Sequence, residues 1–507
     1  MSDTRTDVRP GGVASWAAVW ATRRPDHPCV VFDDVVTTWR QFDAAVDALA
    51  ARLRGRGVRQ GDRVGCLLPN RTEYLVAFWA TLRLGALFCP YNVRLTAPEL
   101  ALVIEDSEPA VVLTDHGFAA VHEATTAILP VPWVDVDELD GATTDPVDGE
   151  VPWLSGDDPA AIIYTSGTTG RSKGAVLTHG NLLHQSLAWT SGFGLGRDDV
   201  QINLLSLCYA GGLLNPTLPT FQSGATVVLE PRFDPASALR RIQRYGVTWI
   251  TATPEIVERL LTHADAADTD LSTLARIQTG GAPVPVHLAE LAAERDVQLI
   301  QGYGITEASA GVNLFLPAED VIRKAGYLGL PAPYDEVRIV DDAGAEVAVG
   351  EVGEMLLRGP LVMQGYWRNP QATAETLAGG WLHTGDLARR DEEGFVALVG
   401  RKKEMIISGG LNVYPVEVER VLERFPEVAE VAVVGLPDER WGERVAAFVV
   451  LAAGRHLSAE ELTARAREQV AGYRLPRTVE FVDSLPRTAS GKVRKHVLRE
   501  QWHQAMR

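Results

Sequence analysis

Residues 160–174 read AAIIYTSGTTGRSKG, and the fold is decided there. Ala160 to Thr165 form a continuous apolar run of strand length. The run passes without a break into four hydroxyl residues (Ser166, Thr168, Thr169, Ser172), three glycines (Gly167, Gly170, Gly174) and Lys173. Glycines let a backbone turn tightly and approach a ligand. Consecutive N–H groups and hydroxyls can cradle phosphate oxygens, and a lysine adds positive charge. The plain alternative is a polar surface loop; the buried strand before it and the lysine within it argue against that. Ala175-Val176-Leu177-Thr178 then reads as a second strand.

Three better-known glycine motifs fail on spacing. GxxxxGK[ST] is absent, because Gly167 is followed five residues later by Ser172. Gly302-Tyr303-Gly304 does not complete GxGxxG, because Glu307 holds the sixth position. Gly170-Arg171-Ser172-Lys173-Gly174 fits GxSxG, but that elbow needs a strand–turn–helix context, and a strand is expected to follow here.

Outward from this stretch, helical and strand-like runs alternate. Residues 41–55 and 73–84 carry helical apolar spacing, and 62–68 and 110–114 read as buried strands. Such alternation predicts an α/β fold with parallel sheets. Residues 140–160, rich in Gly, Pro and Asp, read as a loop. From about 325 to 400, short β-like pieces predict a small β-barrel-like subdomain. After Arg401 the chain reads as a compact mixture of strands and helices with a basic tail.

Composition limits the function. The chain has 507 residues, enough for about three folding units of ~150 residues. A net charge of −18 disfavours non-specific binding to a phosphate backbone, so no nucleic acid is expected. Cys29, Cys66, Cys89 and Cys208 form no CxxC pair and read as buried thiols of a reducing compartment. The N-terminus lacks an apolar signal region. Residues 74–91 are short for a membrane span and carry Arg83 in their middle, so a core helix followed by a strand is expected. The reading is a cytoplasmic protein with no integral membrane segment.

YTSGTTGRSKGA resembles the phosphate-loop signature of the adenylate-forming superfamily, which holds acyl-CoA synthetases, luciferases and peptide-synthetase adenylation domains. Further matches follow in the family's order: Gly302-Tyr303-Gly304-Ile305-Thr306-Glu307, His383-Thr384-Gly385-Asp386, Gly400 to Gly410, and Ser490-Gly491-Lys492. They span residues 164 to 492. The resemblance implies a large N-terminal adenylation domain over 1–401, made of two α/β subdomains and the small β-rich one. A small mobile α+β domain over 402–507 would follow, with its hinge at Lys403. The implied activity joins a carboxylic acid to AMP from ATP, with Mg²⁺, and passes the acyl group to CoA.

The implied roles are residue by residue. Thr165, Ser166, Gly167, Thr168, Thr169, Gly170 and Lys173 would hold the ATP phosphates. Tyr303, between Gly302 and Gly304, would stack on adenine beside Gly281-Ala282-Pro283; alone it also reads as a core aromatic. Glu307, next to Thr306, would hold Mg²⁺, a hard cation that takes oxygen ligands; an isolated Glu is more often a solvated charge. Asp386 would accept from the ribose hydroxyls, though it also reads as a turn residue. Arg401 would bind ribose or phosphate through charge-assisted bonds. Lys492 would reach the carboxylate and the α-phosphate together, although a lysine near a basic tail is usually a surface charge. Gly409-Gly410 would line the pantetheine channel or simply make a turn, and Trp441 and Arg477 would meet the CoA nucleotide.

One segment departs from the family's pattern. Many relatives carry Phe-His before a small-Gly-Gly run, and here Tyr209 precedes Ala210-Gly211-Gly212. A second, common variation puts Gly400 before Arg401, where many relatives have Asp. The expected acyl pocket (Tyr209, Ala210, Gly211, Ala308) is small, apolar and free of an obvious cation. That favours a fatty or aryl/arylalkenoic monocarboxylate over a dicarboxylate, which would want an arginine. Tyr209 also leaves other acceptors open: a carrier protein, an amine, or nitrite in a diazotase-type reaction. The resemblance allows a homodimer.

Overall fold

The computed structural model describes residues 12–139, 154–165, 172–282, 284–487 and 493–505. The chain divides into two compact units, one of residues up to 337 with 357–383, the other of 338–356 with 384 onward. Each is mixed α/β.

The larger unit holds two sheets. In the first, the strands Arg63–Cys66, Leu87–Pro90, Val111–Thr114, Trp133–Asp135 and Pro159–Thr165 are joined in parallel. Lys173–Thr178 then pairs antiparallel with Pro159–Thr165, with Thr165 opposite Lys173. The quoted stretch is therefore a β-hairpin, and the strand–turn–helix of a hydrolase elbow is absent. Its tip, Ser166 to Arg171, lies outside the described residues.

In the second sheet, Pro28–Phe32, Thr226–Leu229, Val200–Asn203, Trp249–Ala252, Arg276–Gly280 and Gln298–Tyr303 are parallel neighbours in that order. An antiparallel strand, Val35–Thr38, edges one side, and Leu314–Leu316 and then Tyr327–Pro331 add antiparallel on the other. Parallel strands need crossovers, and helices supply them. The central strands are buried on both faces, which is why they read as continuous apolar runs rather than alternating ones.

The apolar stretch 74–91 is the helix Thr72–Arg83 followed by the strand Leu87–Pro90, as its length predicted. Every side chain from Tyr74 to Arg83 on that helix is buried. Its Trp79 stacks on Phe221 at 3.9 Å between centroids, with Trp39 and Phe42 edge-on to Phe221. Arg83, only 7% exposed, forks onto Asp43 and Asp47 of the helix Trp39–Gly55, each at 2.6 Å. The charge is thus met by two carboxylates of the neighbouring helix, Asp43 and Asp47. Among the described residues no helix is long and apolar enough to cross a membrane.

The smaller unit takes in most of the β-like pieces expected between 325 and 400. Glu336–Val340, Gly353–Arg358, Leu382–Arg390 and Val396–Arg401 follow one another as hydrogen-bonded neighbours in an open series. Beyond them, Val428–Asp438 and Gly442–Leu451 form a long antiparallel pair, extended by Ile406–Ser408 on one side of Gly442–Leu451 and by Thr478–Phe481 in parallel. Alternation with period two gives this sheet two apolar faces. Val431 and Val433 pack with Val418, Leu422 and Leu462; Ala432 and Val434 pack with Phe448, Leu485 and Leu498. All four cysteines are buried and unpaired.

Candidate active site

Two parallel strand ends build the centre of the site in the larger unit. Arg276–Gly280 and Gln298–Tyr303 run side by side, with Gly280 opposite Gly302. A methyl on Gly280 would sit 2.3 Å from the Gly302 carbonyl oxygen, so only glycine permits this approach. Beyond it, Gly281 at φ +79° and Ala282 turn outward and are exposed, while Tyr303 is half-buried at its own strand end. Pro283 lies outside the described residues. Ligands in open α/β sheets bind outside the carboxyl ends of strands, which is where these residues stand. Gly304 is close-packed too: a Cβ there would meet the Gly311 carbonyl oxygen at 1.8 Å. The chain then coils once as a short 3₁₀ turn, Thr306–Ala308.

Glu307 projects from that turn. Its Oε1 accepts a hydrogen bond from the Tyr366 hydroxyl at 2.9 Å, and its carbonyl accepts from Met363 N–H at 2.8 Å. The carboxylate and the neighbouring Thr306 are both half-buried and offer only oxygen donors, a set that suits a hard divalent cation. Lys173 lies with its Nζ 4.9 Å from the Tyr366 ring centroid. Thr165 Oγ1 donates to the Lys173 carbonyl at 3.4 Å, closing the base of the hairpin. Tyr366 thus joins Glu307 to Lys173. Sequence reasoning missed it, since an aromatic in GYWRNP gives no local sign of a partner 59 positions away.

The residues expected to meet the acyl group divide in two. Tyr209 is the N-cap of the helix Ala210–Ser223, and its hydroxyl accepts from Asn92 Nδ2 at 3.1 Å. Burial, and then the neighbouring Cys208, push the phenol's pKa up, so it stays neutral. Ala210 is buried and Gly211 half-buried at the start of that helix. Ala308 is fully buried in the Glu307 turn. Asn92 is a second residue that sequence reasoning missed.

The smaller unit carries the remaining candidates. Asp386 and Arg401 face each other across paired strands, and Arg401 Nε lies 2.7 Å from Asp386 Oδ1. Two residues expected to hold the nucleotide therefore hold each other, with Asp386 1% exposed. Lys403 is exposed, in the short turn Lys402–Glu404. Gly409 at φ +60° and Gly410 at φ +81° form the two-residue turn between Ile406–Ser408 and Leu411–Val413. Positive φ at both positions is what such a hairpin demands. Gly409 also lies against Trp441: its N–H donates to the Trp441 carbonyl at 2.8 Å, and a Cβ would be 2.6 Å from the indole. Arg440 and Arg477 stack on that indole, at 4.8 and 4.5 Å from its centroid. Lys492 lies outside the described residues. The helix that follows it, Lys495–Ala505, is tied down by Lys495 Nζ, 3.2 Å from Glu404 and 2.8 Å from Glu419.

The family described as "AMP-binding enzyme" matches residues 17–367, and its C-terminal domain matches 417–492. The chain belongs to the AMP-binding enzymes. It is an adenylate-forming acid–CoA ligase, converting a carboxylic acid and ATP to acyl-AMP and pyrophosphate and then, with CoA, to acyl-CoA and AMP. A feruloyl-CoA synthase of an Amycolatopsis species is 40% identical over 98% of this chain and 100% of its own length. An indoleacetate–CoA ligase of Aromatoleum aromaticum is 39% identical over 96% and 98%. The o-succinylbenzoate CoA synthetase of Bacillus subtilis, solved with ATP and a magnesium ion, superposes with a TM-score of 0.88 at 33% identity, covering 96% of this ligase and 98% of that chain. ATP, Mg²⁺ and CoA are accordingly the small molecules this ligase uses.

Proposed function

We propose that the acid is an aryl or arylalkenoic monocarboxylate, and that the residues above carry the roles their positions suggest. The observation that supports the acid class best is the half-buried Tyr209 phenol, fixed by Asn92 at the start of a helix whose next residues are small. A flat ring packs well against a fixed aromatic and small neighbours. Two relatives that match nearly the whole chain are named for feruloyl-CoA and indoleacetate–CoA formation, which favours the same class.

In the first half-reaction the carboxylate oxygen attacks the α-phosphorus, and the bond to the β-phosphate oxygen breaks. Both reactants are anions. Lys492 offsets their repulsion and stabilises charge developing in line at phosphorus. The hairpin tip with Lys173 holds the leaving pyrophosphate, and Tyr303 with Gly281, Ala282 and Pro283 holds the adenine. Thr306 and Glu307 hold Mg²⁺, which neutralises phosphate charge when bound. Asp386 and Arg401 take the ribose. In the second half-reaction the CoA sulfur attacks the acyl carbonyl, a C–S bond forms, and AMP leaves. Gly409, Gly410 and Trp441 guide the pantetheine arm and nucleotide of CoA. One site serving two reactions calls for a conformational step, with residues 402–507 turning about Lys403. Four buried thiols fit a reducing, cytoplasmic setting. A homodimer is the further assembly to test, by light scattering.

The decisive measurement is AMP and pyrophosphate release with Mg²⁺-ATP over a panel of phenylpropenoic, arylacetic, benzoic and fatty acids, with and without CoA. Turnover confined to aryl acids and dependent on CoA supports the proposal. Preference for long-chain fatty acids would sink the acid class while leaving the ligase chemistry intact.

A further inference from the structure

Tyr366 stands at a crossing of the two segments that carry phosphate and metal ligands. Gly365–Tyr366 is a two-residue strand added antiparallel to the hairpin strand Lys173–Thr178, with Tyr366 opposite Ala175. Four hydrogen bonds from backbone N–H groups pin the segment. Met363 N–H donates to the Glu307 carbonyl, Gln364 N–H to Val176 and Trp367 N–H to Gly174, at 2.8, 2.9 and 2.7 Å. Tyr366 N–H donates to Thr373 Oγ1 at 2.8 Å. Gly365, at φ +155°, has no room for a side chain, since a Cβ would lie 2.7 Å from Thr373. The ring is therefore set from both sides before any ligand arrives.

The ring then meets two opposite charges. Its hydroxyl donates to Glu307 Oε1 at 2.9 Å, and its face receives the Lys173 ammonium at 4.9 Å. A direct Lys–Glu ion pair would bind each charge to the other and withhold both from Mg²⁺-ATP. A phenol avoids this: it holds the carboxylate by one hydrogen bond and the ammonium by its quadrupole, and itself occupies neither the second carboxylate oxygen nor the ammonium N–H donors.

We propose that Tyr366 is a positioning residue that holds Glu307 for the metal and Lys173 for the phosphates. This rests on the reading that Glu307 binds Mg²⁺. The test is direct binding: Mn²⁺ titrated, by electron paramagnetic resonance, into the full-length ligase saturated with a non-hydrolysable ATP analogue. Affinity for the analogue without metal is measured by calorimetry alongside. Tyr366→Phe keeps the ring and removes the hydroxyl; it is expected to weaken Mn²⁺ binding roughly 3–10-fold, with metal-free nucleotide affinity held within about twofold. Tyr366→Leu removes both contacts and is expected to weaken both affinities. Glu307→Gln is expected to weaken Mn²⁺ binding at least as much as Tyr366→Phe, and adding Tyr366→Phe to it should change nothing further. If Glu307→Gln loses Mn²⁺ affinity while Tyr366→Phe binds like the parent enzyme, the positioning role is wrong. If Glu307→Gln itself binds Mn²⁺ like the parent, the metal assignment fails and this inference with it.

Discussion

Asp335 is the side chain whose chemistry is least comfortable in the fold. It is buried, and Asn313 Nδ2 donates to its Oδ2 at 3.2 Å. Asp335 Oδ1 and Asn313 Oδ1 have no hydrogen-bond partner among the described residues. Two buried acceptors without a donor between them call for one more proton. A protonated Asp335 supplies it, and burial raises its pKa to about 7. The sign follows from linkage: the folded state holds a proton that the unfolded chain releases near pH 4, so stability falls as pH rises from about 4 to about 7 and is level above. The full effect is on the order of 4 kcal/mol. Asp335→Asn keeps the shape and adds a permanent donor. It is expected to flatten that part of the stability–pH curve and to raise the melting temperature at pH 8. Unfolding of parent and variant at pH 5 and pH 8 checks this; parallel curves would rule it out.

At the scale of elements, two adjacent glycines make opposite demands at the start of the helix Ala210–Ser223. A Cβ on Gly212 would lie 2.0 Å from the Ser206 carbonyl oxygen, whereas one on Gly211 meets nothing within 4 Å. Gly212→Ala must push away the turn that carries Tyr209, at a cost of about 1–3 kcal/mol. Gly211→Ala should stabilise the helix by up to ~1 kcal/mol and take space from the proposed acyl pocket. The expected outcome is a lower melting temperature for the first, and an unchanged or higher one with a raised KM for the acid in the second. A raised melting temperature and unaltered acid kinetics in Gly211→Ala would remove that residue from the pocket. The same contrast explains what the sequence could tell. The hairpin at 159–178 was readable because an apolar run, a glycine-rich turn and a second run are all local. So was the helix Trp39–Gly55, whose apolar positions recur at helical spacing. Contacts across long separations were not: nothing near Asn92 announces Tyr209, 117 positions away. Nor does Arg83 reveal from its own neighbours that Asp43 and Asp47 wait for it. Tyr209 itself stands out in the sequence only because it breaks a family pattern, and Asn92 breaks none.

At the scale of the whole molecule, one nucleotide must be served by different groups in turn. If residues 402–507 present Lys492 for adenylation and Gly409-Gly410 with Trp441 for thioester formation, damage to each should fall on one half-reaction alone. Lys492→Ala removes one electrostatic donor at the α-phosphate, so pyrophosphate formation should drop ~10²–10³-fold. Consumption of supplied acyl-AMP by CoA should stay near the parent rate. Gly409→Ala strains a backbone held at φ +60° and drives a methyl to within 2.6 Å of the Trp441 indole, already flanked by Arg440 and Arg477. It should spare pyrophosphate formation and slow transfer to CoA. The two steps are measured apart, by quenching acyl-AMP formation without CoA and by feeding synthetic acyl-AMP with CoA. Because each variant is the other's control for folding, a general loss of structure cannot imitate the crossed pattern. Equal losses in both steps for both variants would mean that one fixed arrangement serves the whole reaction, and the turning of 402–507 about Lys403 would have no work to do.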